Sequence, residues 1–324
     1  MRADFQKLWE SPSDGVPPAH RSMFRVGCVA VRVAGEDRAT VALVPPLTAF
    51  QVESGIPDID VRIQRVGQLR ETERRTAFDS GSVWRLYEHE AGFQFDFSAP
   101  MFGGQPYKRL IVDRSFSTGT LQLSEPAFAA FPAAAPLDYP LDELLVMHRL
   151  TQERAIELHA CGIVTADGSG NLFVGHSGAG KTTTTRLWTA NEDVEVLSDD
   201  RIILRWDEDG AKPGGHLDTD YKKNGVIRMY GTPWHGEAMY ASPGSAPIAR
   251  ILILEHGRGN VLTRLSPSQA VVELFARSFV PFHGHQYVES ALEFLEEVAD
   301  AVPCYRYAFE PQQSAVERIL EFRD

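Results

Sequence analysis

The chain has 324 residues and a formal net charge of −12. Its hydrophobic share of 43% and charged share of 23% are ordinary for a globular protein with enough apolar material for a sizeable core. No long basic run is present, which argues against nucleic acid as a main partner.

No window approaches the roughly 18 uninterrupted apolar residues of a membrane-spanning helix. The opening Met1–Lys7 lacks the apolar stretch of a signal peptide. The three cysteines, Cys28, Cys161 and Cys304, are far apart and form no C-x-x-C pair. They are expected to be reduced, mostly buried residues of a cytoplasmic protein.

In chain order, the first stretch reads as β-rich. Short runs of β-branched and aromatic residues predict strands over 25–33, 39–44, 60–66, 83–88, 92–97, 109–113 and 119–123. Trp84, Tyr87, Phe93, Phe95 and Phe97 are expected to pack within that sheet system. The Ala- and Pro-rich stretch 129–140 reads as a linker or extended surface segment. The spacing of Leu141, Leu144, Leu145 and His148 then predicts an amphipathic helix over 141–155.

From Leu158 the pattern alternates between strand and helix. Strands are expected at 163–164, 172–174, 194–197, 202–206, 251–254 and 305–309. Ser266-Pro267-Ser268-Gln269 forms a capping box with proline at the first helical position, and predicts a helix through Phe275. Further helices are expected over 288–302 and 314–322. The fold class is therefore α/β: residues 141–324 form a mixed domain, and residues 1–140 a smaller β-rich domain.

The most informative run is Gly175-His176-Ser177-Gly178-Ala179-Gly180-Lys181-Thr182, followed by Thr183. It fits G-x-x-x-x-G-K-[ST], the phosphate-binding P-loop. Asn171–Val174 before it reads as a buried strand, and 183–190 after it continues as a helix, which is the setting the motif needs. The glycines let successive N–H groups turn towards phosphate oxygens, and the new helix adds its positive end. Lys181 is placed to reach the β- and γ-phosphates of ATP, and Thr182 to offer its hydroxyl to Mg²⁺. The acidic net charge does not oppose such a ligand, because a local nest of N–H groups and the metal ion bind it. An ordinary Gly-rich turn before a helix is the alternative.

Phosphoryl transfer also needs a metal holder and a group that positions the nucleophile. Val194–Leu197 is an apolar run that ends in Ser198-Asp199-Asp200-Arg201. If that strand lies beside the P-loop strand, both carboxylates emerge near the phosphates, one to hold Mg²⁺ and one to take a proton. A surface Asp-Asp turn is the competing explanation.

Leu158-His159-Ala160, the P-loop and Leu197-Ser198-Asp199-Asp200 together resemble the kinase domain of HPr kinase/phosphorylase, over roughly 141–322. The short interval between loop and Asp pair is shared with that family. The resemblance implies a nucleotide-binding fold akin to phosphoenolpyruvate carboxykinase. It implies that Asp199 is the general base, Asp200 a metal ligand beside Thr182, and His159 a neighbour of the reacting phosphate. Without it, His159 reads as a core or capping histidine.

The family's downstream signature for gripping HPr is absent. Asn224–Arg228 and Tyr230-Gly231-Thr232-Pro233-Trp234-His235-Gly236-Glu237 instead resemble a Gly-Thr-Pro-Trp element of HPr-kinase-like proteins from biosynthetic gene clusters. Some of these, in lasso-peptide pathways, phosphorylate a precursor-peptide serine. The β-rich first region is also similar to that subgroup.

Weaker signals complete the reading. Arg201, Arg205 and Arg228 are candidates for neutralising transferred charge, with Arg228 preferred. Glu237 is a candidate metal or substrate contact, or a solvated glutamate. His283-Gly284-His285 has metal-pair spacing but no third ligand, and reads as a loop. Tyr221-Lys222-Lys223 is a substrate-side basic patch or a solvated turn.

The expectation is a cytoplasmic, Mg²⁺-dependent ATP kinase acting on a serine-type hydroxyl of a peptide, protein or small molecule. The first domain would help recognise the acceptor, with no nucleic acid or membrane partner; homo-oligomerisation stays open. An ATP-binding regulator without transfer, and a phosphorylase or carboxykinase, are the alternatives.

Overall fold

Gly27 and Cys28 both adopt left-handed backbone conformations, with φ of 54° and 70°. That pair of positive angles makes a tight hairpin turn. The chain therefore folds back, and β1 (His20–Val26) pairs antiparallel with β2 (Val29–Gly35). The single strand expected over 25–33 is thus two strands and a turn. Cys28 at that turn is exposed, whereas Cys161 and Cys304 are buried, in keeping with the expectation that most of the cysteines are buried.

The computed structural model describes residues 19–89, 91–131, 134–191, 193–208 and 225–323. Tyr221-Lys222-Lys223, Asn224 and the opening segment lie outside the described residues. The protein is mixed α/β with two sheets, and it divides into two units, Met1–Arg149 and Leu150–Asp324.

The first unit carries α1 (Pro45–Thr48), β3 (Ile59–Val66), β4 (Thr76–Asp79), β5 (Trp84–His89), β6 (Gly92–Ser98), β7 (Pro106–Asp113), β8 (Thr118–Ser124) and α2 (Glu125–Ala130). Its eight-stranded sheet runs β1-β2-β3-β8-β7-β6-β5-β4. Residues 39–44, expected as a strand, are a turn through Val41 and irregular after it. There Asp37 accepts from the Thr40 N–H at 2.8 Å, and Pro45-Pro46 then start α1.

Phe93, Phe95 and Phe97 alternate along β6 and are buried, as expected from their spacing. The Leu141–Leu150 helix, α3, is shorter than expected, because Ala155 already begins the next strand. Through Arg149 it belongs to the first unit. His148 explains why: its ring stacks 4.5 Å from Phe116 and sits edge-on at 5.3 Å to Phe95.

In the second unit β9 (Ala155–Val164) and β14 (Ser245–His256) are long strands whose two halves take different neighbours. The first half of β9 pairs with β12 (Arg201–Glu208), and its second half with β10 (Gly170–Val174). The start of β14 pairs with β13 (Gly225–Gly231), which pairs with β12. The rest of β14 runs parallel to both β10 and β17 (Cys304–Phe309). The pairings therefore close into a ring, β10-β9-β12-β13-β14-β10. The short strands β11 (Glu195–Ser198) and β16 (Ser278–Phe279) add to β9, and β15 (Val261–Arg264) adds to β17.

Among the described residues four helices complete the unit: α4 (Lys181–Asn191), α5 (Pro267–Phe275), α6 (His285–Ala301) and α7 (Gln313–Glu321). Ser266 caps α5 through the reciprocal bonds with Gln269 expected from its sequence. Every residue of β10 is buried, as a strand covered on both faces requires. One core cluster joins Cys161, Phe173, Trp188, Leu252, Tyr307 and Val316, drawn from β9, β10, α4, β14, β17 and α7. It fixes the direction in which α4 leaves the sheet, and with it the loop at the N-terminus of α4.

Candidate functional site

The loop between β10 and α4 has the shape its glycines predict. Gly178 and Gly180 take φ of 81° and 106°. A Cβ on Gly180 would lie 2.5 Å from the Phe309 ring, and one on Gly175 2.7 Å from Ala179 Cβ. His176, Ser177 and Gly178 are exposed, while Ala179, Gly180, Thr182 and Thr183 are half-buried. Ala179 N–H donates to His176 O at 3.1 Å, and His256 Nε2 lies 2.9 Å from Gly178 O. The first turn of α4 then opens with Thr184 N–H donating to Gly180 O at 2.8 Å.

Lys181 is buried, and its Nζ donates to Gly175 O at 2.9 Å and His176 O at 3.2 Å. Its ammonium is folded back over the loop. Burial lowers its pKa, against the opposing pull of Asp200 and of the Cys161 group. A bound anion would relieve that desolvation. Cys161 itself is pushed up to about 12 by burial and is chemically quiet.

The Asp pair follows β11, but that strand is not the neighbour of β10. β9 lies between them, with Gly162 paired to Leu172 on one side and to Ser198 on the other. The condition set on the sequence, that the two strands be adjacent, is therefore not met. The carboxylates reach the loop by a different route, through His159 on β9. The His159 carbonyl accepts from Gly175 N–H at 3.2 Å, and its Nε2 lies 2.8 Å from Asp200 Oδ1. Ala160 N–H also donates to Asp200 O at 3.1 Å.

The two carboxylates have different surroundings. Asp199 is buried, and each of its oxygens accepts a backbone bond: Oδ1 from Gly236 N–H at 2.9 Å, Oδ2 from Ala238 N–H at 2.8 Å. Asp200 keeps 26% of its side chain exposed and pairs with His159 and Arg201. Desolvation pushes the Asp200 carboxyl up. The His159 hydrogen bond and the charges of Arg201, His159 and Lys181 outweigh it and hold the group below its ordinary range.

Arg201 is itself gripped. It faces buried Glu157 at 3.7 Å, and its guanidinium carbon stands 4.0 Å from the Phe279 ring centre.

The segment after β13 wraps the pair. Thr232 is buried and donates to Arg201 O at 2.8 Å, Trp234 is buried, and Ser242 N–H donates to Leu197 O at 2.8 Å. Glu237 is exposed between the two amides that hold Asp199. The Gly-Thr-Pro-Trp element is thus a strap for the Asp pair, a role that carries no signal in its sequence beyond proximity to the pair in the fold.

Other candidates lie elsewhere. Arg228, the preferred arginine, faces Asp207 at 3.4 Å and Ser245 at 3.4 Å, and the ladder sets it three residues along β13 from Gly231. Arg205 pairs with Glu153. Neither is held at the Asp pair, so Arg201 replaces Arg228 as the arginine beside the carboxylates. His285 pairs with Glu289 at the surface, and His283 sits edge-on to Tyr287 at 5.2 Å. Among the described residues no group of three or more His, Cys, Asp or Glu is disposed to hold a metal ion. Among them also, no helix is long and apolar enough to cross a membrane.

The chain matches no model of a known protein family, and no curated protein matches it either.

Proposed function

We propose that the second unit is a Mg²⁺-dependent phosphotransferase that binds ATP on the loop 175–182 and transfers the γ-phosphoryl group to a serine-type hydroxyl. The observation that carries this reading is His159, which bonds the phosphate loop through its backbone and Asp200 through its ring. A base and a triphosphate site held in one frame are what in-line transfer needs. The resemblance to HPr kinase/phosphorylase supports the same reading.

Lys181 would leave the loop carbonyls for the β- and γ-phosphates. Thr182 would hold Mg²⁺ together with phosphate oxygens and water, a donor set that suits this ion and needs no protein cage. The metal supplies neutralisation of charge on the leaving side.

The base role is assigned to Asp200, where the resemblance implies Asp199. Asp200 is the accessible carboxylate oriented by a histidine, and it would accept the proton of the acceptor hydroxyl. The hydroxyl oxygen bonds to the γ-phosphorus, the bond to the β-bridging oxygen breaks, and ADP leaves. Its low proton affinity is compatible with a loose transition state, in which the proton moves late. Asp199, with both oxygens on backbone amides, is a positioning residue for the strap.

The first unit is proposed to help select the acceptor, as the similarity to peptide-modifying relatives of this kinase type suggests. The test is a mass-spectrometric screen of serine-bearing peptides and hydroxylated metabolites with isotope-labelled ATP and Mg²⁺. A labelled acceptor that is lost in Asp200→Asn supports the reading. Tight ATP binding with no labelled acceptor favours a nucleotide-binding regulator.

A further inference from the structure

A second arginine stands at the phosphate loop, and neither the motif nor the resemblance points to it. Arg277 follows α5 and precedes β16. Its carbonyl accepts from His159 N–H at 2.8 Å, so its backbone is fixed next to the residue that joins loop and base. Its side chain is 11% exposed. Nη1 donates to Glu273 O at 2.8 Å and to Glu273 Oε2 at 2.6 Å. Nε is fully buried with no hydrogen-bond partner among the described residues.

A buried guanidinium N–H without an acceptor is costly unless a ligand supplies one. Glu273 is not dependent on Arg277. It also accepts from Arg306 Nη2 at 2.7 Å, and would keep a cationic partner if Arg277 turned away.

The position fits an anion. Lys181 Nζ marks the place of the terminal phosphates and rests on the carbonyls of Gly175 and His176. His176 is depressed by partial desolvation and then by the charge of Arg277, ahead of those of His159 and Lys181. Arg277 O and Gly175 N–H are both bonded to the His159 main chain, at 2.8 and 3.2 Å, so Arg277 stands beside the start of the loop.

Resting on the proposed nucleotide reading, we infer that Arg277 binds the terminal phosphate of a nucleoside triphosphate in this loop, exchanging Glu273 for it. Its planar fork suits paired phosphate oxygens. A diphosphate leaves it on Glu273. The exchange would make the loop discriminate ATP from ADP.

The experiment is calorimetric titration of the full chain with Mg·ATP and Mg·ADP. Arg277→Gln is expected to weaken ATP about tenfold or more, as loss of a charge-assisted pair does, while ADP stays within about twofold. Arg277→Lys keeps the charge without the fork and guards against a misfolded Gln variant. It is expected to lower ATP affinity severalfold and leave ADP unchanged. Glu273→Gln removes the competing carboxylate and is expected to raise ATP affinity.

Parallel loss of ATP and ADP affinity in the Arg277 variants, or an unchanged ratio, overturns the proposal in favour of a tie between α5 and β9. No gain in Glu273→Gln overturns the exchange. A wild-type chain that binds neither nucleotide overturns the reading of the loop itself, and this proposal with it.

Discussion

His159 Nε2 lies 2.8 Å from Asp200 Oδ1, on the strand that separates the strand before the loop 175–182 from the Asp-pair strand. If Asp200 accepts the acceptor proton, Asp200→Asn should lower kcat by about 10²–10⁴, the usual worth of a general base. ATP affinity should remain within a few-fold. Single-turnover transfer alongside equilibrium titration separates the two quantities.

Asp199 should behave otherwise. Its oxygens hold the Gly236 and Ala238 amides, and in Asp199→Asn one of those N–H groups faces an NH₂ donor. Leaving a buried donor unmet costs about 1–3 kcal/mol. Thermal unfolding at neutral pH should show that loss in Asp199→Asn. A stable Asp199→Asn protein with no transfer activity would return the base role to Asp199.

The depressed Asp200 carboxyl makes a pH statement. Its folded value lies below the ordinary aspartate value near 3.9. The unfolded chain therefore binds the proton more readily as the pH falls, so the contribution is present above about pH 4 and is lost on acidification through the folded value. Melting temperature should fall more steeply below about pH 4 in the wild type than in Asp200→Asn. The acid limb of kcat should likewise lie below pH 4, because the base stays ionised throughout the neutral range.

Two loop glycines offer an internal comparison. Gly178 and Gly180 both have positive φ, but only Gly180 faces a neighbour, the Phe309 ring. Alanine at 178 meets nothing within 4 Å and adds backbone strain alone, about 1 kcal/mol. Alanine at 180 adds a clash at 2.5 Å to that strain. Gly180→Ala should melt lower than Gly178→Ala and lose more nucleotide affinity.

Much of this was legible in the chain because local chemistry dictated it. The run 175–182 needs its glycines wherever it occurs, the Ser266 capping box satisfies its own helix end, and alternation along 92–97 buries one aromatic face. The hairpin at Gly27-Cys28 was hidden because a cysteine, not glycine or asparagine, takes the second positive φ. The helix expected over 141–155 stops at Leu150, because Thr151-Gln152-Glu153-Arg154 form a turn into β9 although they carry no Gly or Pro to mark the break.

The site was half visible. Spacing brought Lys181 and the Asp pair together but could not show that β9 intervenes. The strap formed by 232–242 and the placement of Arg277 beside His159 arise only from long-range strand pairing. Arg228 and Arg201 look alike in sequence, and only the β12–β13 register separates them.

The most direct test of the central claim is titration of the wild type and Lys181→Ala with Mg·ATP. The account predicts saturable 1:1 binding to the wild type, and a loss of about a hundredfold in the variant, because Lys181 would hold the β- and γ-phosphates. Equal affinity in the two proteins, or no binding to the wild type, would contradict it.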